Sequence, residues 1–548
     1  MTSASSNGGA GTPDRPSDRG TRFPEVISLA PGTLARHRAR LLEPSTAVRA
    51  HDGTWPLPTA YRADSLLLPV REAQTLLPEE PNDYNTALEG LGVELRPPDN
   101  GGWREHLSRL HPDLPVPVPL LTRGDTVTDR PPDPWAALVR LRRAFGSDAR
   151  GAKIGLNHLV ASASVTVEGA PVNHGGNVDG APVNHGGGVG GDGRVALYTG
   201  SRNPVAMVGR PPVRRPAAEL VGGRRPVIAV LDTGIGEHDW LTVGPLSADP
   251  VVEVSQDFQT ALAAHEPAFG SPHPLASPDD QADEIQPLLG ITDSHFGHGT
   301  FVTGLIHQMC PDARVLSLRV LQSDGFSTEG SVLFALDWLR RRVVDAIANG
   351  TPDELVDVVS LSLGFYPETA QPGEVAQVAD AIERLTDLGV LVVAAAGNDA
   401  TMRPFLPAAF GQDAAGTTGN PLLAAVGALN ASGFTTAAFS NHGPWVWRWA
   451  PGNALISTVP KWEGSAFPGL GKLDGGGVGP RWRTAPDPDD LRTGFAVWAG
   501  TSFATPVVAG LVAESLATDP ETGTSFDAER ARRALKLTDL RLTDRGWR

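Results

Sequence analysis

The 548-residue chain has one cysteine, four tyrosines and four methionines, and no run of about 18 consecutive apolar residues. A single thiol, Cys310, excludes an intrachain disulfide framework. Its place at the end of the stretch Ile306-His307-Gln308-Met309-Cys310-Pro311 marks it as a core residue. The missing apolar run excludes a membrane-spanning helix, and no membrane partner is expected. The first residues are rich in Ser, Gly, Pro and Asp and contain no apolar segment of the signal-peptide kind, so a cytoplasmic location is expected, with non-classical export left open. Positive charge is also in short supply. Lys and Arg number 46 against 62 Asp and Glu, for a net charge of −16, and no basic patch gathers that could grip phosphate. Nucleic acid is therefore excluded as a partner, and the acidity is read as a solubilising surface.

Glycine (62) and proline (49) are abundant, which calls for long irregular segments. The length exceeds one ordinary core, so at least two modules are expected. Residues 1–22 read as a disordered tail. Residues 23–162 read as a small α+β module. It has strand patterns at Tyr61–Val70, Val93–Leu95 and Lys153–Ala161, a helical crossover over Arg71–Gly92, and a helix beginning at Asp133-Pro134-Trp135 with Asp as cap and Pro at the first helical position. Trp135, Leu138, Leu141 and Phe145 then fall on one helical face. Residues 163–224 form a Gly/Pro-rich linker containing two consecutive eleven-residue copies, one from Val167 and one from Val178. Their His and Asp residues sit among glycines, a setting that favours a linker over a metal site.

From residue 225 to 548 the texture changes. Continuous apolar strands occur at Val227–Leu231, Arg314–Leu321, Val356–Leu361, Val390–Ala396 and Leu422–Ala428. Helical patterns lie between them at Phe301–Met309, Ser327–Asn349 and Glu374–Leu388. Alternation of this kind predicts an α/β, doubly wound, mostly parallel sheet covered on both faces, with its site at the carboxyl ends of the strands.

Four places there carry polar residues suited to acyl-transfer chemistry. Asp232 ends a buried strand, where a carboxylate can orient a histidine; a turn Asp is the plainer reading. His298, in Gly297-His298-Gly299, opens an apolar helix and can shuttle a proton; it can equally be a loop histidine, and His295 competes with it without the flanking glycines. Asn398 follows a strand and can donate to an oxyanion or simply shape a turn. Ser502, in Gly500-Thr501-Ser502-Phe503-Ala504-Thr505-Pro506, opens an apolar helix as a cap residue or as a nucleophile.

Asp232-Thr233-Gly234, His298-Gly299-Thr300 and Gly500–Pro506, in this order and with Asn398 between the last two, resemble the signature blocks of subtilisin-like serine peptidases. The resemblance covers about Arg225 to Leu516. It implies the three-layer α/β/α fold of that family and a serine endopeptidase that acts on protein or peptide through an acyl-enzyme. Asp232, His298 and Ser502 would form its triad, and Asn398 would assist the oxyanion hole. It further implies that Ser362, Leu363 and Gly364 pair with an extended substrate, and that Ala395, Ala396 and Gly397 wall the pocket before the scissile bond. No cofactor is implied, and the calcium loops of secreted relatives are not recognisable, so no metal is expected. A catalytically silent peptide-binding scaffold is the alternative on the same fold. The stretches 254–294 and 461–493 exceed the compact pattern and are expected at the rim of the cleft. The N-terminal module loosely resembles an inhibitory propeptide, which would make it an intramolecular inhibitor; an unrelated targeting or partner-binding domain is the other reading.

Overall fold

The computed structural model describes residues 29, 31–76, 82–97, 102–124, 131–146, 150–163, 202–268, 275–282, 284–286, 291–371, 375–413, 417–462, 471–473, 481–483 and 491–547. The tail 1–22, both eleven-residue repeats and most of 461–493 lie outside these residues.

The C-terminal part is built on a seven-stranded sheet in the spatial order Arg448–Pro451, Leu423–Leu429, Leu391–Ala395, Val358–Leu361, Val227–Asp232, Arg314–Arg319, Val252–Val254. Every neighbouring pair is parallel. Side chains alternate across a pleated strand, and here both faces are buried. Val227, Ala229 and Leu231 enter one core, while Ile228 and Val230 enter another. The first core is closed by helices Gln256–Ala268, Glu329–Asn349 and Ala376–Thr386. The second is closed by His298–Met309, Thr501–Thr518 and Ala528–Asp544. The result is the expected α/β/α sandwich. The edge strands Val252–Val254 and Arg448–Pro451 escape the sequence pattern because they are short and only partly apolar.

Residues 39–163 form a second sheet, of which β1 (Ala39–Leu42), β2 (Thr59–Pro69), β3 (Val93–Leu95), β4 (Pro115–Thr122) and β5 (Gly155–Ser162) are the local strands, ordered β5-β2-β4-β3 with β1 on β2. β4 is not legible from sequence because Pro115, Pro117 and Pro119 interrupt it. They fall at alternate positions, so the donors they lack all lie along one edge of the strand. The helix Pro134–Phe145 starts as the sequence predicts, with Asp133 accepting from the Trp135 amide.

This small sheet does not stand apart. Leu66, Leu67, Leu68, Trp135 and Leu138 belong to the same continuous core as Val332, Leu336 and Val343 of helix Glu329–Asn349. β5 also pairs antiparallel with Phe326–Thr328 and with Leu363–Gly364 of the C-terminal part. Polar contacts reinforce the join. His37 meets Asp324 at 2.8 Å and Arg36 meets Asp293 at 3.0 Å. His106 meets His265 of helix Gln256–Ala268 at 2.9 Å.

Residues 202–224, read from sequence as connector, run along the C-terminal part as an ordered belt. Asn203–Pro204 pairs with Ala496 and Val497. Arg215 pairs with Asp312 at 2.5 Å, and Arg224 with Asp357 at 2.5 Å. No helix among the described residues is long and apolar enough to cross a membrane.

The most buried polar join is His158 on β5. Its Nδ1 lies 2.6 Å from Glu329 and its Nε2 2.9 Å from Glu368. Burial alone would lower its pKa, but the attraction and hydrogen bonding of Glu329, then of Glu368, lift it from 6.5 to about 9. A folded-state value above the unfolded one stabilises fully below pH 6.5, and that contribution disappears as pH rises through about 9. Thermal unfolding of a full-length Ser502→Ala chain should therefore show stability falling between pH 7 and 9.5. His158→Ala should remove that slope and cost about 3–5 kcal/mol at pH 7, since it strands two buried carboxylates; an unchanged slope would refute the assignment.

Candidate active site

The parallel strands bring their carboxyl ends to one edge, and three of the sequence-predicted polar residues follow from that. Asp232 is the last residue of Val227–Asp232, and its main-chain carbonyl accepts from the amides of Val320 and Leu321. Its Oδ1 accepts from the Thr233 amide at 2.7 Å and meets His298 Nδ1 at 2.7 Å. Both side chains are buried, Asp232 at 1 % exposure and His298 at 0 %.

His298 is the first residue of its helix. Gly297 before it has φ of 86°, a left-handed conformation that glycine adopts without penalty. Gly299 after it admits no side chain, because a Cβ would sit 2.2 Å from the Gly234 carbonyl oxygen. The ring is walled by Trp498, edge-on at 5.5 Å, and by Phe503 at 5.2 Å. His295 does not join this arrangement. Its Nδ1 bonds to Ser294 Oγ, and burial, then the neighbouring His298, push its pKa down to about 3, so it stays neutral.

Ser502 sits at the start of helix Thr501–Thr518, where amides lack intrahelical partners. Pro506 occupies the position whose N–H would otherwise reach the Ser502 carbonyl. That carbonyl is instead satisfied by Ser362 Oγ at 2.8 Å. In return, Ser502 Oγ donates to the Ser362 carbonyl at 2.9 Å. Asn398 is oriented by Thr501, whose amide and hydroxyl both donate to Asn398 Oδ1, at 2.9 and 3.0 Å. Its Nδ2 is thereby turned outward.

What lies against these groups is the chain itself. Beyond β5, the carbonyl oxygen of Ala163 accepts from the Ser502 amide at 2.9 Å and also from Asn398 Nδ2. The Ala163 amide donates to the Ser362 carbonyl at 2.9 Å, and the Ser162 amide to the Gly325 carbonyl at 2.8 Å. Leu363 and Gly364 pair with Ser162 and Ala161. The segment is thus an added strand between two edges. Ala163 packs in the same apolar cluster as Leu363, Ala395 and Ala396. Gly397 closes the site from below, its amide donating to Thr501 Oγ1 at 3.0 Å. Ser162 Oγ lies 3.1 Å from His298 Nε2. The imidazole therefore meets the occupying strand, while Ser502 Oγ points to Ser362.

All ten residues singled out from the sequence lie around this occupied groove. Sequence reading missed Gly325 and Phe326–Thr328, the second edge, because an edge strand supplies backbone and needs no particular side chain. Within the 254–294 stretch, residues 277–280 run against the turn after Asp232, with the Asp280 amide bonded to the Ile235 carbonyl at 3.1 Å.

A family model described as the subtilase family matches residues 223–546. Among curated relatives, the chain is 30 % identical over 230 residues to Subtilisin-like protease 2 of Trichophyton equinum and to that of Trichophyton tonsurans, covering 41 % of this chain and 42 % of each relative. The chain thus spans less than half the length of the curated relatives it matches. Among solved structures, a cold-adapted subtilisin-like serine proteinase is 20 % identical with a TM-score of 0.34, covering 57 % of this chain and 81 % of that one. A lanthipeptide protease is 20 % identical with a TM-score of 0.35, covering 56 % and 78 %.

The exchange between Ser362 and Ser502 gives a direct check. Ser362→Ala should leave the Ser502 carbonyl buried without its donor and cost about 1–3 kcal/mol in chemical denaturation. A loss below the error of that measurement would show that another group satisfies the carbonyl.

Proposed function

The chain belongs to the subtilase family, and on that premise we propose that it is a serine endopeptidase whose first substrate is its own N-terminal module. The observation that carries this reading is the Ala163 carbonyl oxygen, held jointly by the Ser502 amide and Asn398 Nδ2. Two donors converging on one carbonyl are the arrangement that receives an oxyanion.

In this reading Ser502 Oγ turns from the Ser362 carbonyl toward His298 and attacks the Ala163 carbonyl carbon. His298 Nε2 takes the hydroxyl proton, and Asp232, bonded to Nδ1, stabilises the imidazolium. The negative charge collects on the oxygen already held by Ser502 N–H and Asn398. Collapse breaks the bond between Ala163 and Ser164, with His298 returning the proton to the departing amine. Water then hydrolyses the ester on Ser502. The released end at Ala163 keeps its strand pairings, so the module acts as an inhibitor until it leaves. Substrates in trans would bind as extended segments in the same groove, with a small residue where Ala163 sits.

Mass spectrometry of the purified wild-type chain should give one fragment ending at Ala163 and one beginning at Ser164, while Ser502→Ala stays intact and refuses a fluorophosphonate probe. Asn398→Ala should slow the cleavage about 10²–10³-fold, the loss that follows removal of one such donor from a subtilisin. Labelling that persists in Ser502→Ala would overturn the nucleophile. A wild-type chain that stays intact and turns over no casein would favour the silent scaffold.

A further inference from the structure

The stretch between Asp232 and His298 contributes a buried carboxylate that none of the four proposed catalytic groups requires by itself. Asp280 Oδ2 accepts from the Gly297 amide at 2.7 Å and from Thr233 Oγ1 at 3.0 Å. Thr233 Oγ1 in turn accepts from the Gly299 amide at 3.0 Å. The two amides that flank His298 are therefore both anchored to one carboxylate, one directly and one through a single hydroxyl. Thr233 also follows Asp232, and its amide donates to the Asp232 oxygen that holds His298.

Helix His298–Met309 needs such a partner. Its cap position is Gly297, which offers no side chain, and its first turn contains no acidic residue. A carboxylate at a helix start satisfies unpaired amides and complements the helix dipole. Here that carboxylate comes from a remote segment. The segment is itself tied down, since Arg319 donates to the Asp279 carbonyl at 2.6 Å and the Ile235 amide to the Pro278 carbonyl at 3.4 Å. A Cβ on Gly234 would lie 2.4 Å from that Pro278 oxygen, so only glycine lets the two strands of chain approach.

We propose that Asp280 is a positioning residue for proton transfer: it clamps both amides beside His298 to the turn that carries Asp232, and so sets the imidazole against Ser502 and Asp232. The proposal rests on His298 being the general base. Asp280 is faced by Arg319 and Arg202 as cations and by Asp232 as an anion, and His298 is faced by Asp232 and the neutral His295. Burial first raises the Asp280 pKa, to about 7.

The test is the first-order rate of cleavage after Ala163 in full-length chains, measured from pH 5 to 9 beside thermal melting. Asp280→Ala should slow cleavage 10–100-fold at pH 8. Asp280→Asn, which keeps an oxygen acceptor in place without the charge, should recover to within about threefold of wild type, a rescue that follows from the bonds to the Gly297 amide and Thr233. Thr233→Val, which cuts only the arm to Gly299, should fall between them. The asparagine variant decides the matter if the alanine variant fails to fold: a rate as low as that of an unfolded chain in a protein that melts normally overturns the proposal. Wild-type rates in Asp280→Ala overturn it equally. His298→Ala run in parallel separates the two levels: an inactive His298→Ala with a normal Asp280→Ala refutes the clamp alone, while an active His298→Ala refutes the general base and the clamp with it.

Discussion

The carbonyl of Ala163 is where the two halves of the molecule meet. Its oxygen is shared by the Ser502 amide and Asn398 Nδ2, and its own amide is bonded to Ser362. Those bonds hold only if β5 is laid down in one register between Phe326–Thr328 and Leu363–Gly364. A slip of one residue would turn every side chain of the strand over and carry His158 away from Glu329 and Glu368. The shared core and the buried ion pairs are thus devices that place a single peptide carbonyl against the Ser502 amide and Asn398 Nδ2.

The site itself depends on groups that are satisfied by partners distant in sequence. Pro506 frees the Ser502 carbonyl, and Ser362 takes it up. Gly297 leaves the His298 helix uncapped, and Asp280 supplies the carboxylate. Asn398 is rotated into position by Thr501. In each case a local deficit at a helix start is met from another segment. This is how residues spread over several hundred positions acquire fixed distances.

Much of this was legible in the chain. The continuous apolar strands announced a sheet buried on both faces, and the polar residues that end them announced where chemistry would lie. Asp133 before Pro134 announced a helix start that is present. What stayed hidden was hidden for physical reasons. β4 carries prolines that a strand tolerates only when the lost donors fall along one edge. Gly325 and its neighbours act through backbone alone. Asp280 sits among Pro, Asp and Ser residues that look like any surface loop, and its value comes from burial that no local pattern encodes.

By itself the sequence determined the order of elements, the residue types at the site and the chemistry they can perform, because periodicity and the functional group a side chain carries are local properties. The sequence favoured His298 over His295 through its flanking glycines, and the tertiary structure decided it, since only His298 meets Asp232 while His295 bonds to Ser294. The tertiary structure alone decided that residues 202–224 lie as a belt, because their arginines find Asp312 and Asp357 only once the chain is folded. And it alone decided that residues 161–163 occupy the groove, because backbone pairing across two separate edges leaves no mark on the amino acids that make it.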